Sequence, residues 1–95
     1  MTDEQTERLE ATVHGVVQGV FFRYNTRLQA ERLRLAGSVK NRPDGSVQVV
    51  AEGPRDRLED LLAWLRAGPE AAVVARVDAV WRPADRSFET FTILR

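Results

Sequence analysis

Apolar residues alternate with polar ones near the start of the chain and then change to a helical spacing. Leu9, Ala11 and Val13 alternate with charged or polar neighbours, the period of a strand buried on one face. Farther along, less polar residues recur every three or four positions, at Phe22, Thr26, Ala30 and Leu33. The pattern predicts a strand over residues 8–15 and an amphipathic helix over residues 21–34.

The middle of the chain predicts a hairpin followed by a second helix. A strand ending at Asn41 leads into Arg42-Pro43-Asp44-Gly45, a turn sequence that favours a tight connection to a third, alternating strand that stops at Gly53-Pro54. Proline in the first turn then begins a helix that ends at Gly68-Pro69. Its apolar stripe has the spacing i, i+3, i+4, i+7, at Leu58, Leu61, Leu62 and Leu65.

Two more strands complete the pattern. The fourth strand places alternate residues on one face and closes at Pro83; the inward residues are Ala75, Val77, Ala79 and Trp81. Residues 88–94 predict a short last strand. The order strand, helix, strand, strand, helix, strand is typical of the α+β, ferredoxin-like βαββαβ sandwich. We therefore expect an antiparallel sheet of four to five strands, with two helices on one face and the other face open to water.

The strand directions of this topology bring two distant parts of the sequence together. The first and second strands both pair antiparallel with the third, so they run parallel to each other. Their C-terminal ends then lie at the same edge of the sheet. We expect the segment Gly15–Arg23 and the side chain of Asn41 to meet at that edge.

Composition limits the classes of protein to be considered. A chain of 95 residues with 43% hydrophobic residues is the size of one domain. We predict a disordered tail over residues 1–7 and a single domain over residues 8–95. Fourteen basic and 14 acidic residues give no net charge, which argues against binding to nucleic acid or to an anionic membrane. The polar start of the chain shows neither a signal peptide nor an anchor, which fits a cytoplasmic protein.

Metal and disulfide chemistry find no support in the sequence. There is no cysteine, which excludes disulfides and thiolate ligands, and no His, Asp and Glu cluster has metal-ligand spacing. His14 falls on the polar face of the first strand, where a surface histidine is the simpler interpretation. We predict a protein without metal or cofactor.

The loop before the first helix, which contains Gly15 and Gly19, is the candidate anion site. Such a loop points several backbone N–H groups at one volume, where the helix dipole and Arg23 add positive charge. An arginine in the first helical turn opposes the dipole at a cost of about 0.3–1 kcal/mol, which an anion would offset. The simpler alternatives are a solvated surface arginine at position 23 and an asparagine at position 41 that caps its own turn.

The combination of these residues resembles the acylphosphatase family. The matching motifs are Val17-Gln18-Gly19-Val20-Phe21-Phe22-Arg23, Val39-Lys40-Asn41 and Asp44-Gly45. The resemblance implies a small enzyme that hydrolyses the carboxyl–phosphate bond of acyl phosphates without metal or cofactor. We expect it to act as a monomer. The resemblance also implies that Arg23 and the loop amides of Gln18, Gly19, Val20, Phe21 and Phe22 bind the phosphoryl oxygens, while Asn41 orients the attacking water.

Two positions depart from the family pattern. Arg34 stands where a glycine is usual near the end of the first helix, and Ser38 stands where an aromatic residue usually follows Gly37. A left-handed conformation at Arg34 would cost about 1 kcal/mol. We expect both departures to affect stability more than activity.

Two other functions are compatible with a domain of this fold. A non-catalytic, regulatory module of the same fold would bind phosphate without turnover. An RNA-binding sheet would need aromatic residues on the open face of its central strands. The third strand offers Gln48, Val50 and Glu52 there instead, so we reject RNA binding.

Overall fold

A computed structural model describes residues 5–95 and confirms the predicted order of elements. Residues 1–4, part of the predicted tail, lie outside the described residues. The elements are β1 (Thr6–Val16), α1 (Phe22–Arg32), β2 (Ala36–Asn41), β3 (Val47–Pro54), α2 (Arg55–Ala67), β4 (Val73–Pro83) and β5 (Phe91–Ile93).

The five strands form one sheet in the order β4-β1-β3-β2-β5. Strand β5 pairs in parallel with β2, so the expectation of a wholly antiparallel sheet is wrong for this strand. The reason is the route of the chain. Strand β4 runs antiparallel to β1 and ends at the edge where β1 and β2 begin. The segment after β4 passes the ends of the central strands and reaches the other outer position of the sheet, next to β2. Strand β5 therefore starts beside the start of β2 and runs parallel to it.

Both helices pack on the same face of the sheet and enclose one hydrophobic core. The predicted leucine stripe of α2 is buried, as are the inward residues Leu9, Ala11 and Val13 of β1. Phe22 of α1 packs against Trp64 of α2, with ring centroids 5.8 Å apart. The first residue of α1 is therefore anchored in the core, which fixes where that helix begins.

Strand β1 begins at Thr6, earlier than the predicted residue 8. Thr6 pairs with Pro54 and Glu7 with Gly53, so these two residues belong to the sheet and not to a tail. A hydrogen bond of 3.0 Å from Arg55 to the Glu7 carboxylate adds to this pairing.

Two expectations about strand boundaries are wrong. Pro54 ends β3 in an extended conformation (ψ 144°) and caps α2 instead of lying in its first turn. Ala75 is exposed because the β1–β4 register shifts between His14 and Gly15, and Val74 packs against the core in its place.

The sheet face opposite the helices is covered at one end by the segment between β4 and β5. The carboxylate of Glu52, a residue 5% exposed, accepts hydrogen bonds from Nε of Arg8 at 2.7 Å and from the backbone N–H groups of Asp85 and Arg86 at 3.2 and 3.1 Å. The bond to Glu52 is the largest cause that raises the pKa of Arg8. The expectation that this whole face is open to water is therefore wrong, because a buried carboxylate holds the crossing segment against it.

Arg34 adopts the left-handed conformation that its position suggested. Its φ is 58°, and its N–H donates to the carbonyl of Glu31 at 3.0 Å. The N–H of Leu35 donates to the carbonyl of Ala30 at 2.9 Å, so the two bonds form a Schellman motif that ends α1. This motif usually has glycine where Arg34 stands.

Replacing Arg34 by glycine should stabilise the fold. Glycine removes the strain of the left-handed conformation, which stabilises the folded state by about 1–2 kcal/mol. Its greater conformational freedom stabilises the unfolded chain by about 0.5–1 kcal/mol, which offsets part of this gain. We expect Arg34→Gly to raise the free energy of unfolding by about 0.5–1 kcal/mol, measured by urea denaturation. The matched control is Arg32→Gly at the last residue of α1, where glycine should not stabilise the helix and should lower the free energy of unfolding by up to about 1 kcal/mol. An Arg34→Gly protein no more stable than the parent would contradict this account of the cap.

Candidate active site

The glycine that precedes the loop serves the sheet and not the anion site. Gly15 lies within β1 at φ 135°, and a Cβ built on it would lie 2.1 Å from the carbonyl oxygen of Val73. The close approach of β4 therefore requires glycine at this position. The loop itself begins after Val16, where β1 ends.

The backbone φ angles of the loop alternate in sign, and its N–H groups have no hydrogen-bond acceptor within residues 5–95. The φ angles of Gly19 and Phe21 are positive, at 76° and 57°, while that of Val20 between them is not. Alternation of this kind turns successive N–H groups toward one concavity that suits an anion. None of the N–H groups from Gln18 to Phe22 donates to an acceptor within residues 5–95. Five backbone donors are thus available where α1 begins.

Phe21 holds a strained conformation at the N-terminal cap of α1. A left-handed non-glycine residue costs about 1–2 kcal/mol, and the Phe21 ring is exposed, so its own packing does not explain the strain. Asn25 fixes the conformation, because its side-chain Nδ2 and its backbone N–H both donate to the Phe21 carbonyl, at 2.9 and 3.0 Å. Strained residues that neighbours hold in place are concentrated at functional sites. The sequence reasoning did not identify Asn25 as a support of the loop.

Arg23 lies in the first turn of α1 and reaches the end of the last strand. Its Nη1 donates to the carbonyl oxygen of Leu94 at 3.1 Å, across a separation of 71 residues. This bond orients the guanidinium and leaves the rest of its N–H groups available. The sequence could not reveal the contact, because the acceptor is a backbone carbonyl that any residue supplies.

Gln18 ties the loop to the hairpin that follows Asn41. Its side-chain Nε2 donates to the carbonyls of Arg42 and Ser46, at 2.8 and 2.9 Å. The hairpin is itself closed by Asp44, whose carboxylate accepts from the hydroxyl and the N–H of Ser46, and these bonds lower the pKa of Asp44. The side-chain amide of Gln18 is therefore engaged in the fold, while its backbone N–H has no acceptor within residues 5–95.

Asn41 is the last residue of β2 and lines the same pocket as the loop. The pocket has a volume of about 290 Å³, and its lining consists of Val17, Gly19, Phe21, Phe22, Arg23, Tyr24, Asn41 and Ile93. Asn41 lies on the same side of β2 as the buried Val39, toward the helices. The strand directions thus place Asn41 with Arg23 as expected. Val20 is absent from this lining because its side chain packs against the core.

The described residues contain no other obvious catalytic centre. Within residues 5–95, no group of three or more His, Cys, Asp or Glu side chains is arranged to hold a metal ion. His14 lies on the opposite face of the sheet, as predicted, with Nε2 at 3.2 Å from the carboxylate of Asp78. None of the helices in that part of the chain is long and apolar enough to cross a membrane.

Comparison with known proteins gives one consistent result. A family model described as acylphosphatase matches residues 9–93. A protein of Burkholderia thailandensis named acylphosphatase is 46% identical over 89 residues, which cover 94% of this chain and 91% of the relative.

Two solved structures agree with the sequence match. The structure of an acylphosphatase from Coxiella burnetii has a TM-score of 0.90 and 38% identity, and covers 99% of this chain and 100% of that one. The crystal structure of acylphosphatase from Bacillus subtilis also has a TM-score of 0.90, at 32% identity over 94% of this chain and 99% of that one.

Proposed function

The chain belongs to the acylphosphatase family and hydrolyses acyl phosphates, and we propose that the pocket at the start of α1 is where it does so. The reaction converts a small acyl phosphate to a carboxylate and inorganic phosphate. The observation that carries the assignment to this pocket is the set of five backbone N–H groups beside Arg23 that have no acceptor among residues 5–95. The proposal includes a cytoplasmic enzyme that acts as a monomer.

In this proposal the phosphoryl group binds at the N-terminus of α1. The amides of Gln18, Gly19, Val20, Phe21 and Phe22 donate to its oxygens, with the positive end of the helix dipole behind them. Arg23 adds a guanidinium held by Leu94, with the planar geometry that suits phosphate. Phosphoryl transfer mainly requires positioning and stabilisation of charge, and these groups are already in place before substrate binds.

The attacking water is assigned to Asn41. A side-chain amide donates and accepts hydrogen bonds at once, so it can hold a water while directing one lone pair at phosphorus. Asn41 makes no side-chain hydrogen bond to another residue of the described part of the chain, so its amide donor and its carbonyl acceptor are both available to the water. An acyl phosphate has a good leaving group, and the proton of the water can pass to the phosphoryl oxygens. The mechanism then needs no strong protein base and no metal.

The acyl group is proposed to leave along the apolar side of the pocket. Phe21, Tyr24 and Ile93 line this side, and the rings of Phe21 and Tyr24 are exposed. Exposed aromatic rings at the mouth of a pocket suit a small hydrocarbon or aryl group.

Benzoyl phosphate hydrolysis in the presence of a chelator tests the proposal. We expect the purified protein to release inorganic phosphate at the same rate with and without EDTA, because its residues provide all the charge stabilisation. Phosphate binding without turnover would instead identify a non-catalytic binding module. Turnover that EDTA abolishes would show that a metal is needed and would overturn the mechanism.

A further inference from the structure

The first turn of α1 is held from its carbonyl side and not by an ordinary capping side chain. At many helix starts, a side-chain oxygen of the capping residue accepts from the first free N–H groups. Phe21, the capping residue here, has no such oxygen. Instead, Nδ2 of Asn25 donates to the Phe21 carbonyl at 2.9 Å. The helix start is thereby stabilised, while the N–H of Phe22 keeps no acceptor within residues 5–95.

The bond from Asn25 also sets the direction of the Phe22 N–H. The carbonyl of Phe21 and the N–H of Phe22 belong to one peptide group, which is planar and trans, so they point in opposite directions. The Phe21 carbonyl points along α1 toward Asn25, and the Phe22 N–H therefore points out of the helix start. Phe21 and Phe22 both line the pocket. The orientation of one of the five amide donors thus depends on how firmly the Phe21 carbonyl is held.

The strain at Phe21 favours release of this peptide group unless neighbouring groups oppose it. A non-glycine residue in the left-handed region persists only where its surroundings hold it there. The Phe21 ring is exposed, so its packing does not provide that hold. The backbone bond from the N–H of Asn25, at 3.0 Å, lies at a helix terminus, where helices fray. The side chain of Asn25 adds a second donor to the same carbonyl, and both bonds must break before the Phe22 N–H turns away.

We propose that Asn25 is a positioning residue for phosphate binding. Its side chain keeps the first peptide group of α1 in the orientation that directs the Phe22 N–H at the phosphoryl oxygens. Asn25 does not touch the substrate itself, because its donor is bound to the Phe21 carbonyl and its side chain lies outside the lining of the pocket. The inference rests on the proposed function, since it assumes that the phosphoryl group binds at this loop.

Asn25→Leu tests the proposal, because leucine has a similar size and no donor. We expect KM for benzoyl phosphate and the inhibition constant Ki of inorganic phosphate to rise together by about fivefold, the effect of one ordinary hydrogen bond. The value of kcat should change by less than about twofold, because the Phe22 N–H binds the phosphoryl oxygens in the ground state and in the transition state. Asn25→Thr should restore most of the affinity, because a hydroxyl can donate to the carbonyl four residues earlier, as that of Thr26 does at 2.8 Å.

Gln29→Leu is the matched control for Asn25→Leu. Gln29 lies one turn farther along α1, and its side chain makes no hydrogen bond within residues 5–95. This variant should leave KM and Ki unchanged. Urea denaturation should show that Asn25→Leu is about as stable as the parent protein, because the higher helix propensity of leucine offsets the lost bond. A loss of stability with KM and Ki unchanged would show that Asn25 only supports the helix, and would overturn the proposal.

Amide chemical shifts test the step that involves Phe22 and need no turnover. An N–H that donates to phosphate has its proton resonance shifted downfield. Saturating inorganic phosphate should therefore shift the amide protons of Gly19 and Phe22 in the parent protein. In Asn25→Leu the shift at Phe22 should be largely lost, while that at Gly19 remains. Equal shifts of the Phe22 amide in the two proteins would overturn the proposal.

The same titration separates failure of this inference from failure of the proposed function. A parent protein that binds phosphate but does not hydrolyse benzoyl phosphate would contradict the catalytic assignment. The Phe22 shift in Asn25→Leu would then still support or overturn the role of Asn25. A parent protein whose Phe22 amide does not respond to phosphate would overturn that role, even if benzoyl phosphate is hydrolysed.

Discussion

Arg23→Ala is expected to lower kcat for benzoyl phosphate by about 100- to 1000-fold, the usual cost of losing one positioned stabiliser of transition-state charge. The guanidinium faces the pocket beside the loop amides and is oriented by the Leu94 carbonyl. Steady-state kinetics measures the loss. The fold should persist, because Arg23 makes a single side-chain hydrogen bond to the described part of the protein, and circular dichroism checks this.

Arg23→Lys is the informative companion variant. Lysine keeps the positive charge but not the planar arrangement of donors, so its activity should lie between that of the parent and that of Arg23→Ala. If Arg23→Ala retained activity within tenfold of the parent while folded, the assignment of the phosphoryl site to this arginine would be wrong.

Asn41→Ala is the second change with a large expected effect. Removing the amide takes away the group that we propose holds and aims the water, and we expect kcat for benzoyl phosphate to fall about 100-fold or more. The side chain has no other hydrogen-bond partner within residues 5–95, so urea denaturation should show little change in stability. Steady-state kinetics at saturating substrate isolates the effect on kcat from that on binding.

Two further variants make the Asn41 result specific. Asn41→Asp keeps the shape but removes the donor and brings a negative charge near the phosphoryl group, so it should be as impaired as Asn41→Ala. Lys40→Ala changes the neighbouring, exposed residue on the opposite side of β2 and should remain active. Comparable activity in Asn41→Ala and Lys40→Ala would contradict the proposed role of the Asn41 amide.

Local patterns predicted most of the fold because burial imposes them on the sequence. Leu9, Ala11 and Val13 must alternate if one face of β1 is buried, and the leucines of α2 must follow the helical period. The meeting of Asn41 with the loop also followed, since it depends only on strand directions. These features are repeated over many residues or fixed by topology.

Features that depend on single backbone contacts escaped prediction. The glycine at position 15 was interpreted as part of the anion loop, but its conformation serves the approach of β4. Nothing in the sequence marks the carbonyl of Leu94 as a partner of Arg23, and nothing marks Glu52 as the acceptor for two amides of the crossing segment. Such contacts join distant residues through backbone groups that all amino acids have, so they produce no recognisable pattern in the sequence.

The contact between Arg23 and Leu94 links the arginine of the proposed phosphoryl site to a residue that follows β5. A ribosome synthesises the loop, α1 and Asn41 long before β5, yet the arginine acquires its final support only when β5 has paired with β2. Contacts this distant along the chain form slowly, because closing a long loop costs entropy before any gain is made. We infer that a nascent chain that has not reached Leu94 carries a complete loop without a properly held arginine.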